Sequence, residues 1–394
     1  MHFLLLSSTY YPEKKSASFM LKELSKSFLS KGHKITVITF SNEIKDSVSL
    51  ESINGVSVIR LKVSNPKFSK VRRALIELSY SRKIITYIKQ HDIGDIDGVI
   101  FFSPSIFFGR AVSFIKKFYS VKSYLIVRDI FPDWLIKINQ LKKGPIYYFF
   151  KIFEYINFNS ANFIGTESVA DIKHVKNLIG KKPINIEQLR NWFSEAEAHP
   201  ESSEREELLS NSKLNLLYGG SLGLAQNVID FLRILEKQDI AKSFNIIIVG
   251  NGVQKIALEE FSRNSTLDIT ITQMMERNDY FNLVKKSDAG LVILDRNLEA
   301  NNYPGKSFDY MSFKKPLICF LHEDNEFGHL VEKEDFGYFI KANDTDSLLK
   351  NLDSFLHDAK NRNKKGENSY KYLKKYFTVD RASKQIIERF LIEK

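Results

Sequence analysis

The chain has 394 residues, of which 43% are apolar, and a formal net charge of +11. This length and apolar content can supply a sizeable core and favour two domains over one. The single cysteine, Cys319, excludes an internal disulfide and a cysteine-based zinc site and fits a reducing compartment, so we expect a cytosolic protein. The first residues lack a basic segment and a long apolar run, and we expect neither a signal peptide nor a membrane span.

The positive charge is concentrated in one half of the sequence. Residues 1–190 contain 30 Lys and Arg against 15 Asp and Glu, whereas residues 191–394 contain 28 against 32. This asymmetry predicts that the first half faces a polyanion or an anionic membrane surface. The alternative is a solvated basic surface that keeps the protein soluble.

The first half alternates between strand and helix patterns. Residues 3–7 and 35–40 are predicted strands with a helical stripe between them, which is typical of a parallel sheet with right-handed crossovers. The loop after the first strand, with Tyr10 and Tyr11, is expected at the carboxyl edge of that sheet, where doubly wound folds bind ligands. It lacks a Gly-x-Gly-x-x-Gly pattern, so a nicotinamide cofactor is not expected.

A second candidate site in the first half follows another strand. The strand at residues 123–127 ends in a loop that begins with Arg128 and Asp129, at the same predicted edge of the sheet. The remaining patterns of the first half are strands at 56–61, 98–102, 162–165 and 184–189 and a basic helix at 71–90.

Residues 141–158 form a helical pattern that is aromatic on all sides. Together with nearby basic residues, this segment suits an interfacial membrane contact. The basic residues are Lys67, Lys70, Arg72, Arg73, Arg110, Lys116, Lys117 and Lys122. Core packing explains the aromatic residues equally well, because the sequence does not show which side of each helix is exposed.

The second half restarts the alternation after a segment, residues 194–213, whose Ser- and Glu-rich composition predicts a linker. A strand at 214–218 leads into a turn with Gly219 and Gly220, and a strand at 244–249 leads into Gly250 and Asn251. Adjacent glycines let a backbone approach a phosphate closely, although strand-to-helix turns also need glycine for steric reasons. The later patterns are helices at 228–235, 277–287, 348–357 and 371–391 and strands at 269–272 and 289–294.

The most informative stretch lies at residues 301–318. A loop with Pro304 and Gly305 precedes a short helical pattern at 306–312, and an apolar strand follows at 317–321. The free N–H groups of a helix start favour an anion, and Lys306 adds positive charge there. Asp309 lies one turn further on, so phosphate beside ribose is the ligand that this pair predicts. The alternative is a surface Lys306–Asp309 ion pair.

In order along the chain, these motifs resemble the retaining nucleotide-sugar glycosyltransferases of family 4. The resemblance is carried by residues 7–12, 128–134, 189–192, 217–220, 247–252, 287–291 and 304–318. It implies a GT-B fold, with two α/β Rossmann-like domains facing each other across a cleft. Its detail is most similar to the branch that builds bacterial surface polysaccharides, including N-acetyl-fucosamine transferases. The expected domains are 1–193 and 194–376, with a C-terminal helix at about 377–394 packing back on the first.

The resemblance implies a role for several residues in donor binding. Asp309 stands where the family has the second Glu of an E-x7-E pattern, which binds the ribose, and Asn301 replaces the first Glu. Lys306 and the backbone N–H groups of Gly220 and Ser307 are expected at the diphosphate, because the basic pair of the glycine-rich loop is missing. The full expected donor site is Gly219, Gly220, Gln226, Gly250, Asn251, Gln273, Met274, Gly305, Lys306, Ser307 and Asp309, with the base near Gln273 and Met274.

The implied reaction is a retaining and metal-independent sugar transfer from a nucleotide diphosphate sugar, with no cofactor and no evident Asp-x-Asp metal site. The expected catalytic residues are Lys306, Asp129 and Asn301. The expected acceptor site consists of Tyr10, Tyr11, Arg128 and Asp129.

The expected partners are a UDP-linked donor, an undecaprenyl-diphosphate-linked saccharide and an anionic membrane surface, which the first domain would meet at the inner face of the cytoplasmic membrane. Such a reaction would serve O-antigen or capsular polysaccharide synthesis. Two alternatives are a nucleotide-sugar 2-epimerase of the same fold and a basic nucleic-acid-binding protein, although no nucleic-acid-binding signature is present.

Overall fold

The protein divides into two compact units in a computed structural model that describes residues 1–13, 15–64, 76–103, 105–128, 130–137, 141–193, 206–298 and 303–391. The first unit comprises Met1–Ser194 together with Phe377–Lys394, and the second comprises Glu195–Tyr376. The second unit is therefore inserted into the chain of the first. Each unit is an α/β domain with its own sheet and core.

The first unit contains an eight-stranded sheet in the order β3-β4-β2-β1-β5-β6-β7-β8. Its strands are β1 His2–Leu6, β2 Lys34–Ser41, β3 Val48–Ile53, β4 Val56–Lys62, β5 Gly98–Phe102, β6 Lys122–Val127, β7 Phe163–Thr166 and β8 Asn185–Gln188. All neighbouring strands pair in parallel except β3, which pairs with β4 in antiparallel register at the edge. The predicted parallel sheet is confirmed, and β3 was not predicted.

Helices cover both faces of this sheet. They are α1 Ser16–Ser30, α2 Tyr80–Gln90, α3 Gly109–Tyr119, α4 Asp133–Lys137, α5 Pro145–Asn159 and α6 Val169–Ile179. Successive residues of β1 enter opposite cores: Leu4 and Leu6 belong to one apolar cluster, and Phe3 and Leu5 to the other. Strands that are buried on both faces are nearly continuous apolar runs, and this explains the apolar run that follows His2 at the start of the sequence.

The second unit contains a six-stranded parallel sheet in the order β11-β10-β9-β12-β13-β14. Its strands are β9 Leu214–Ser221, β10 Phe244–Asn251, β11 Asp268–Thr272, β12 Ala289–Ile293, β13 Leu317–Leu321 and β14 Gly337–Lys341. Its helices are α7 Val228–Leu235, α8 Lys255–Asn264, α9 Arg277–Lys286, α10 Lys306–Ser312, α11 Glu326–Lys333, α12 Thr345–His357 and α13 Ala359–Tyr376. The last helix of the chain is α14 Val379–Leu391.

The C-terminal helix α14 belongs to the core of the first unit. Ile386 and Phe390 lie in the same apolar cluster as Phe3 and Leu24. The Phe390 ring centroid is 5.0 Å from that of Phe3, and a Cβ on Gly98 would lie 2.4 Å from the Phe390 ring. Helix α14 therefore fills space over β1 and β5 that a larger side chain at position 98 would occupy.

Some predicted elements have different bounds in the structure. The pattern at 371–391 corresponds to two helices, because the helical conformation is interrupted at Phe377 and Thr378. At this interruption the N–H of Phe193 donates to the carbonyl of Phe377 over 2.7 Å. The helix predicted at 71–90 begins at Tyr80 within the described residues, and 71–75 lie outside them. The predicted linker is described only from residue 206 onward, where a 3-10 turn at Glu206–Leu208 precedes β9. Among the described residues, no helix combines the length and apolar character needed to cross a membrane.

Candidate functional site

The candidate site lies at the carboxyl ends of β9 and β10 in the second unit. Gly219 and Gly220 are near the end of β9, and Gly250 of β10 pairs with Gly220 in parallel register. A Cβ on Gly250 would lie 2.0 Å from the carbonyl oxygen of Gly220, so glycine is required for this close approach. Gly220 has a φ of +135°, a conformation that glycine adopts readily. The two strand ends therefore approach each other closely through backbone that carries no side chain of its own at Gly219, Gly220 and Gly250.

Two tyrosines support this turn from below. The N–H of Gly219 donates to the Tyr310 hydroxyl over 2.9 Å. A Cβ on Gly219 would lie 2.2 Å from the hydroxyl oxygen of Tyr280. Tyr310 is on α10 and Tyr280 on α9, so both helices fix the position of the glycine turn.

Lys306 is the first residue of α10 and reaches toward the same turn. Its side chain as a whole is partly exposed, but its Nζ is buried and has no hydrogen-bond partner among the described residues. The Nζ lies 3.7 Å from the ring centroid of Tyr218, and a Cβ on Gly220 would be 3.8 Å from it. Burial lowers the pKa of Lys306 to about 7. A buried ammonium without an acceptor is costly, so an anion at this position would satisfy it.

Asp309 lies one helical turn after Lys306 and is partly exposed. Burial raises the pKa of its carboxyl to about 6, and the charge of Arg277 opposes that shift. Between these two described side chains there is no ion pair, because the Lys306 Nζ is without a partner. The alternative of a surface Lys306–Asp309 ion pair is therefore not observed.

One predicted donor is already engaged. The N–H of Ser307 donates to the carbonyl of Pro304 over 2.9 Å, and the Ser307 hydroxyl donates to the same carbonyl over 2.6 Å. We expected the Ser307 N–H to bind a diphosphate, but in the structure this N–H is already bonded within the turn that starts α10. Gly305, just before the helix, is exposed, and a Cβ added there would have no neighbour within 4 Å.

The other predicted donor-site residues lie around the same sheet edge. Gln226 follows the glycine turn, and its N–H donates to the Gly223 carbonyl over 3.1 Å. Asn251 is exposed, and its carbonyl accepts from the N–H of Leu222 over 2.9 Å. Gln273 and Met274 follow directly after β11, the edge strand, and Met274 is exposed. All four residues lie at or after the carboxyl ends of strands, where parallel sheets bind ligands.

The predicted acceptor residues of the first unit have different environments. Tyr10 is fully buried in the core, and burial raises its pKa to about 12, which argues against direct contact with an acceptor. Tyr11 is partly exposed, with the Lys22 Nζ 4.4 Å from its ring centroid. Arg128 donates to the Leu189 carbonyl over 2.8 Å and lies 4.7 Å from the Trp192 ring, so it holds the end of β8. The predictions for Asp129 and Asn301 concern residues outside the described part of the chain.

The structure also shows groups that the sequence motifs did not single out. Tyr218, Tyr280 and Tyr310 surround the glycine turn, and only the adjacency of Tyr218 to Gly219 and the i,i+4 spacing of Tyr310 from Lys306 could have indicated them. In such an apolar context, aromatic residues are indistinguishable from ordinary core residues in the sequence.

A cluster of ionisable groups joins α4, α5 and α6 of the first unit. The possible ligand atoms of Asp133, Glu154 and His174 lie within 4.8 Å of one another. Lys151 contacts both carboxylates, at 3.2 Å for Asp133, and the Tyr147 hydroxyl donates to Asp133 over 2.8 Å. Burial raises the pKa of Glu154 to about 7. These groups are the right types for a divalent cation, but Lys151 already supplies positive charge to both carboxylates.

Two Rossmann-like units, each built on a largely parallel sheet, define the GT-B fold. Solved structures with this architecture match nearly the whole chain. They include sucrose-phosphate synthase from Thermosynechococcus elongatus (11% identity, TM-score 0.75, covering 99% of this chain and 98% of that one) and WaaG, a glycosyltransferase involved in lipopolysaccharide biosynthesis (14%, TM-score 0.69, covering 98% and 99%). A third is Anabaena Alr3699/HepE in complex with UDP and glucose (12%, TM-score 0.68, covering 99% of each chain).

The second unit also carries a family signature. Residues 201–372 match the model of the family described as glycosyl transferases group 1. This stretch contains the glycine turn, Lys306 and Asp309 and lies within the second unit. No curated protein matches the chain by sequence. The fold and the family match together support a glycosyltransferase.

Proposed function

We propose that this protein is a retaining glycosyltransferase that uses a nucleotide diphosphate sugar, with UDP as the preferred nucleotide. The observation that carries the proposal is the buried Nζ of Lys306, which has no partner among the described residues and lies beside the open glycine turn of β9. A phosphate oxygen would give the Lys306 Nζ the acceptor that it lacks among the described residues. The carboxylate of Asp309, one turn away, can accept hydrogen bonds from the hydroxyls of a ribose. The match of this unit to glycosyl transferases group 1 and the UDP-bound Anabaena neighbour support the same ligand class.

The proposed reaction needs stabilisation of the departing diphosphate. The bond between the anomeric carbon and the diphosphate oxygen breaks, and a bond from the acceptor oxygen to the same face of that carbon forms. The proton of the acceptor hydroxyl passes to a phosphate oxygen of the leaving diphosphate. Protonated Lys306 and the Gly220 backbone stabilise the developing negative charge, so the reaction proceeds without a metal.

The proposed acceptor is a saccharide linked to undecaprenyl diphosphate at the inner face of the cytoplasmic membrane. The positive charge of the first half of the chain and the structural likeness to a lipopolysaccharide glycosyltransferase support this part of the proposal. Asp129 and Asn301 are proposed to orient the acceptor or the sugar, and Tyr11 and Arg128 are proposed to belong to the acceptor site. The product would serve O-antigen or capsular polysaccharide synthesis, with an N-acetylated deoxyhexosamine such as N-acetyl-fucosamine as the transferred sugar.

The proposal is tested by nucleotide-sugar binding and turnover. A panel of UDP-, GDP- and dTDP-sugars should contain at least one ligand that raises the melting temperature, because a ligand at many times its Kd stabilises the folded state. With that donor, Lys306→Ala should lower kcat/KM, and the loss should correspond to about 2 to 4 kcal/mol of transition-state stabilisation. Lys314→Ala, a lysine beyond α10 whose side chain is 52% exposed, is the matched control.

Three results would contradict the proposal. If no nucleotide sugar stabilises the protein, the proposed donor site is wrong. If folded Lys306→Ala keeps an unchanged kcat/KM, Lys306 has no role in catalysis. Conversion of the labelled donor into an epimer without acceptor would instead show a nucleotide-sugar 2-epimerase.

A further inference from the structure

Helix α5 of the first unit exposes a row of large apolar side chains. The exposed residues, named here the α5 stripe, are Ile146 (62% exposed), Tyr148 (60%), Phe149 (40%), Ile152 (58%) and Tyr155 (43%). Their spacing of three and four residues places most of them along one side of the helix. Glu154, Asn157 and Phe158 are buried on the opposite side. One side of α5 therefore anchors the helix, and the other presents an unusually apolar surface to solvent.

Among the described residues, the exposed charges just before α5 and beside Tyr155 are positive. The only carboxylate of α5, Glu154, is fully buried and contacts Lys151, so the helix exposes no negative charge. Lys142 and Lys143 are exposed just before the helix. Lys182 is exposed as well, and its Nζ lies 4.9 Å from the ring centroid of Tyr155. An apolar stripe with cationic borders complements a surface that is apolar below and anionic at its boundary.

A groove beside α5 combines the same two properties. It has a volume of about 420 Å³ and lies between α2, the start of α3 and α5. Ile106, Phe107, Phe153 and Ile156 form apolar walls, and Arg82 and Arg110 add two exposed guanidinium groups. The Arg110 guanidinium is 5.6 Å from the Phe153 ring centroid. Apolar walls with two cations suit a phosphate group that carries an aliphatic chain.

From these contacts we infer that the α5 stripe and the groove dock the protein onto an anionic phospholipid surface. The aromatic and aliphatic side chains enter the interface, and the lysines and arginines contact lipid phosphates. A second copy of the chain fits less well, because pairing two such surfaces would bring their cationic borders together. The inference rests on the proposed function in one respect, since it places the protein where a lipid-linked acceptor would lie.

The experiment compares vesicle binding of the full chain and of two matched double variants. Vesicles of phosphatidylcholine alone and of phosphatidylcholine mixed with phosphatidylglycerol are used at low and high salt. Ile146→Glu with Ile152→Glu adds two carboxylates to the α5 stripe. Leu50→Glu with Val253→Glu places the same change at two other exposed apolar positions and serves as the control. All four positions are exposed, so thermal melting should show folded variants.

The expected result is salt-sensitive binding of the wild type to the mixed vesicles and much weaker binding to phosphatidylcholine alone. The α5 double variant should lose about tenfold or more in partition coefficient, because two apolar side chains no longer enter the interface. The control variant should bind as the wild type does. Arg82→Ser with Arg110→Ser should weaken binding to the mixed vesicles and reduce its salt sensitivity.

Equal binding of the α5 double variant and the wild type would overturn the inference, as would equal binding of the wild type to both vesicle types. A wild-type dimer in solution that the α5 double variant converts to monomer would also overturn it, because a second copy would then cover the stripe. Donor-induced stabilisation is measured on the same preparations. Donor binding without vesicle binding would contradict only the docking inference. Vesicle binding without donor binding would contradict only the proposed function.

Discussion

Lys306 combines two conditions that oppose each other. Its ammonium lies over the Tyr218 ring, where a cation is attracted by the face of the ring, yet its Nζ is buried and has no acceptor among the described residues. The Lys306 Nζ faces the Tyr218 ring and the Gly220 backbone of β9. The carboxyl of Asp309 lies one turn away on α10, and the charge of Arg277 on α9 lowers the pKa of that carboxyl. Burial dominates, and the pKa of Lys306 falls to about 7.

This low pKa predicts that donor binding is coupled to proton uptake. Above pH 7 the free amine is mostly neutral, and a bound diphosphate raises its pKa because it favours the charged form. Binding of UDP at pH 8 should therefore take up close to one proton, and the affinity should weaken as the pH rises above 7. Titration calorimetry in two buffers with different ionisation enthalpies measures the proton count.

Lys306→Arg is the control for this coupling. Its guanidinium stays charged throughout the range, so a variant that still binds UDP should take up fewer protons than the wild type. Wild-type binding with no proton uptake at pH 8 would show that Lys306 is charged before the ligand arrives.

At the residue scale, the sequence singled out the glycine turn, Lys306 and Asp309 as a ligand site. That site stays a prediction, and the structure shows that Gly220 and Lys306 lie close together. The sequence did not predict that Tyr310 accepts a hydrogen bond from Gly219 or that the Ser307 N–H is engaged by Pro304. Both are consequences of the local path of the chain at the start of α10. Such a path depends on packing of α10 against β12 and β9, which no short motif encodes.

At the scale of elements, the close packing of α3 against α5 requires a glycine at position 109. A Cβ on Gly109, the first residue of α3, would lie 2.7 Å from the carbonyl oxygen of Ile156 and 2.8 Å from the Cα of Asn157 in α5. These are backbone atoms of a packed helix, so they cannot move aside as a flexible side chain would. The close approach also brings Arg110 near Phe153 at the groove.

Gly109→Ala should therefore lower the free energy of unfolding of the first unit by about 1 to 3 kcal/mol, the usual cost of overpacking. Urea unfolding followed by tryptophan fluorescence measures it, because both tryptophans of the chain, Trp134 and Trp192, lie in the first unit. Gly144→Ala is the matched control, since a Cβ there has only one neighbour, at 3.9 Å. Equal unfolding midpoints for the two variants would show that α3 and α5 separate easily.

Sequence patterns were most informative for elements that are buried on both faces. The apolar strands β1, β5 and β13 were predicted because every position faces a core. Strand β3 was missed because it lies at the edge, where none of its residues is fully buried and Leu50 points to solvent. The helical pattern at 371–391 did not show the break between α13 and α14, because Phe377 and Thr378 carry no Pro or Gly signal. Only the resemblance implied a separate C-terminal helix from about residue 377. The exposed side of α5 required the structure, since its aromatic residues occur all round the helix.

For the molecule as a whole, α14 is the part of the chain that completes the first unit. Phe390 is 4% exposed and packs against Phe3 and Phe163, and Arg389 forms an ion pair with Glu187 of β8. Ser27 of α1 and Ser383 of α14 share a buried hydrogen bond of 2.7 Å. These contacts join residues that are about 200 positions or more apart in the sequence.

Phe390→Ala should lower the free energy of unfolding of the first unit by about 3 to 5 kcal/mol, the range for removing a buried phenylalanine. Leu391→Ala changes the next residue, which is 53% exposed, and should cost less than about 0.5 kcal/mol. The same tryptophan fluorescence measurement in urea compares them. Similar midpoints for both variants would mean that α14 contributes little to the first unit.

The insertion of the second unit into the chain of the first has a consequence for biosynthesis. Residues 195–376 are complete before residues 377–391 leave the ribosome, so the second unit can fold while the first still lacks α14. Until then, β1 and β5 lack the cover that Phe390 gives at Phe3 and Gly98. We therefore expect the nascent first unit to have an incomplete core until α14 is released.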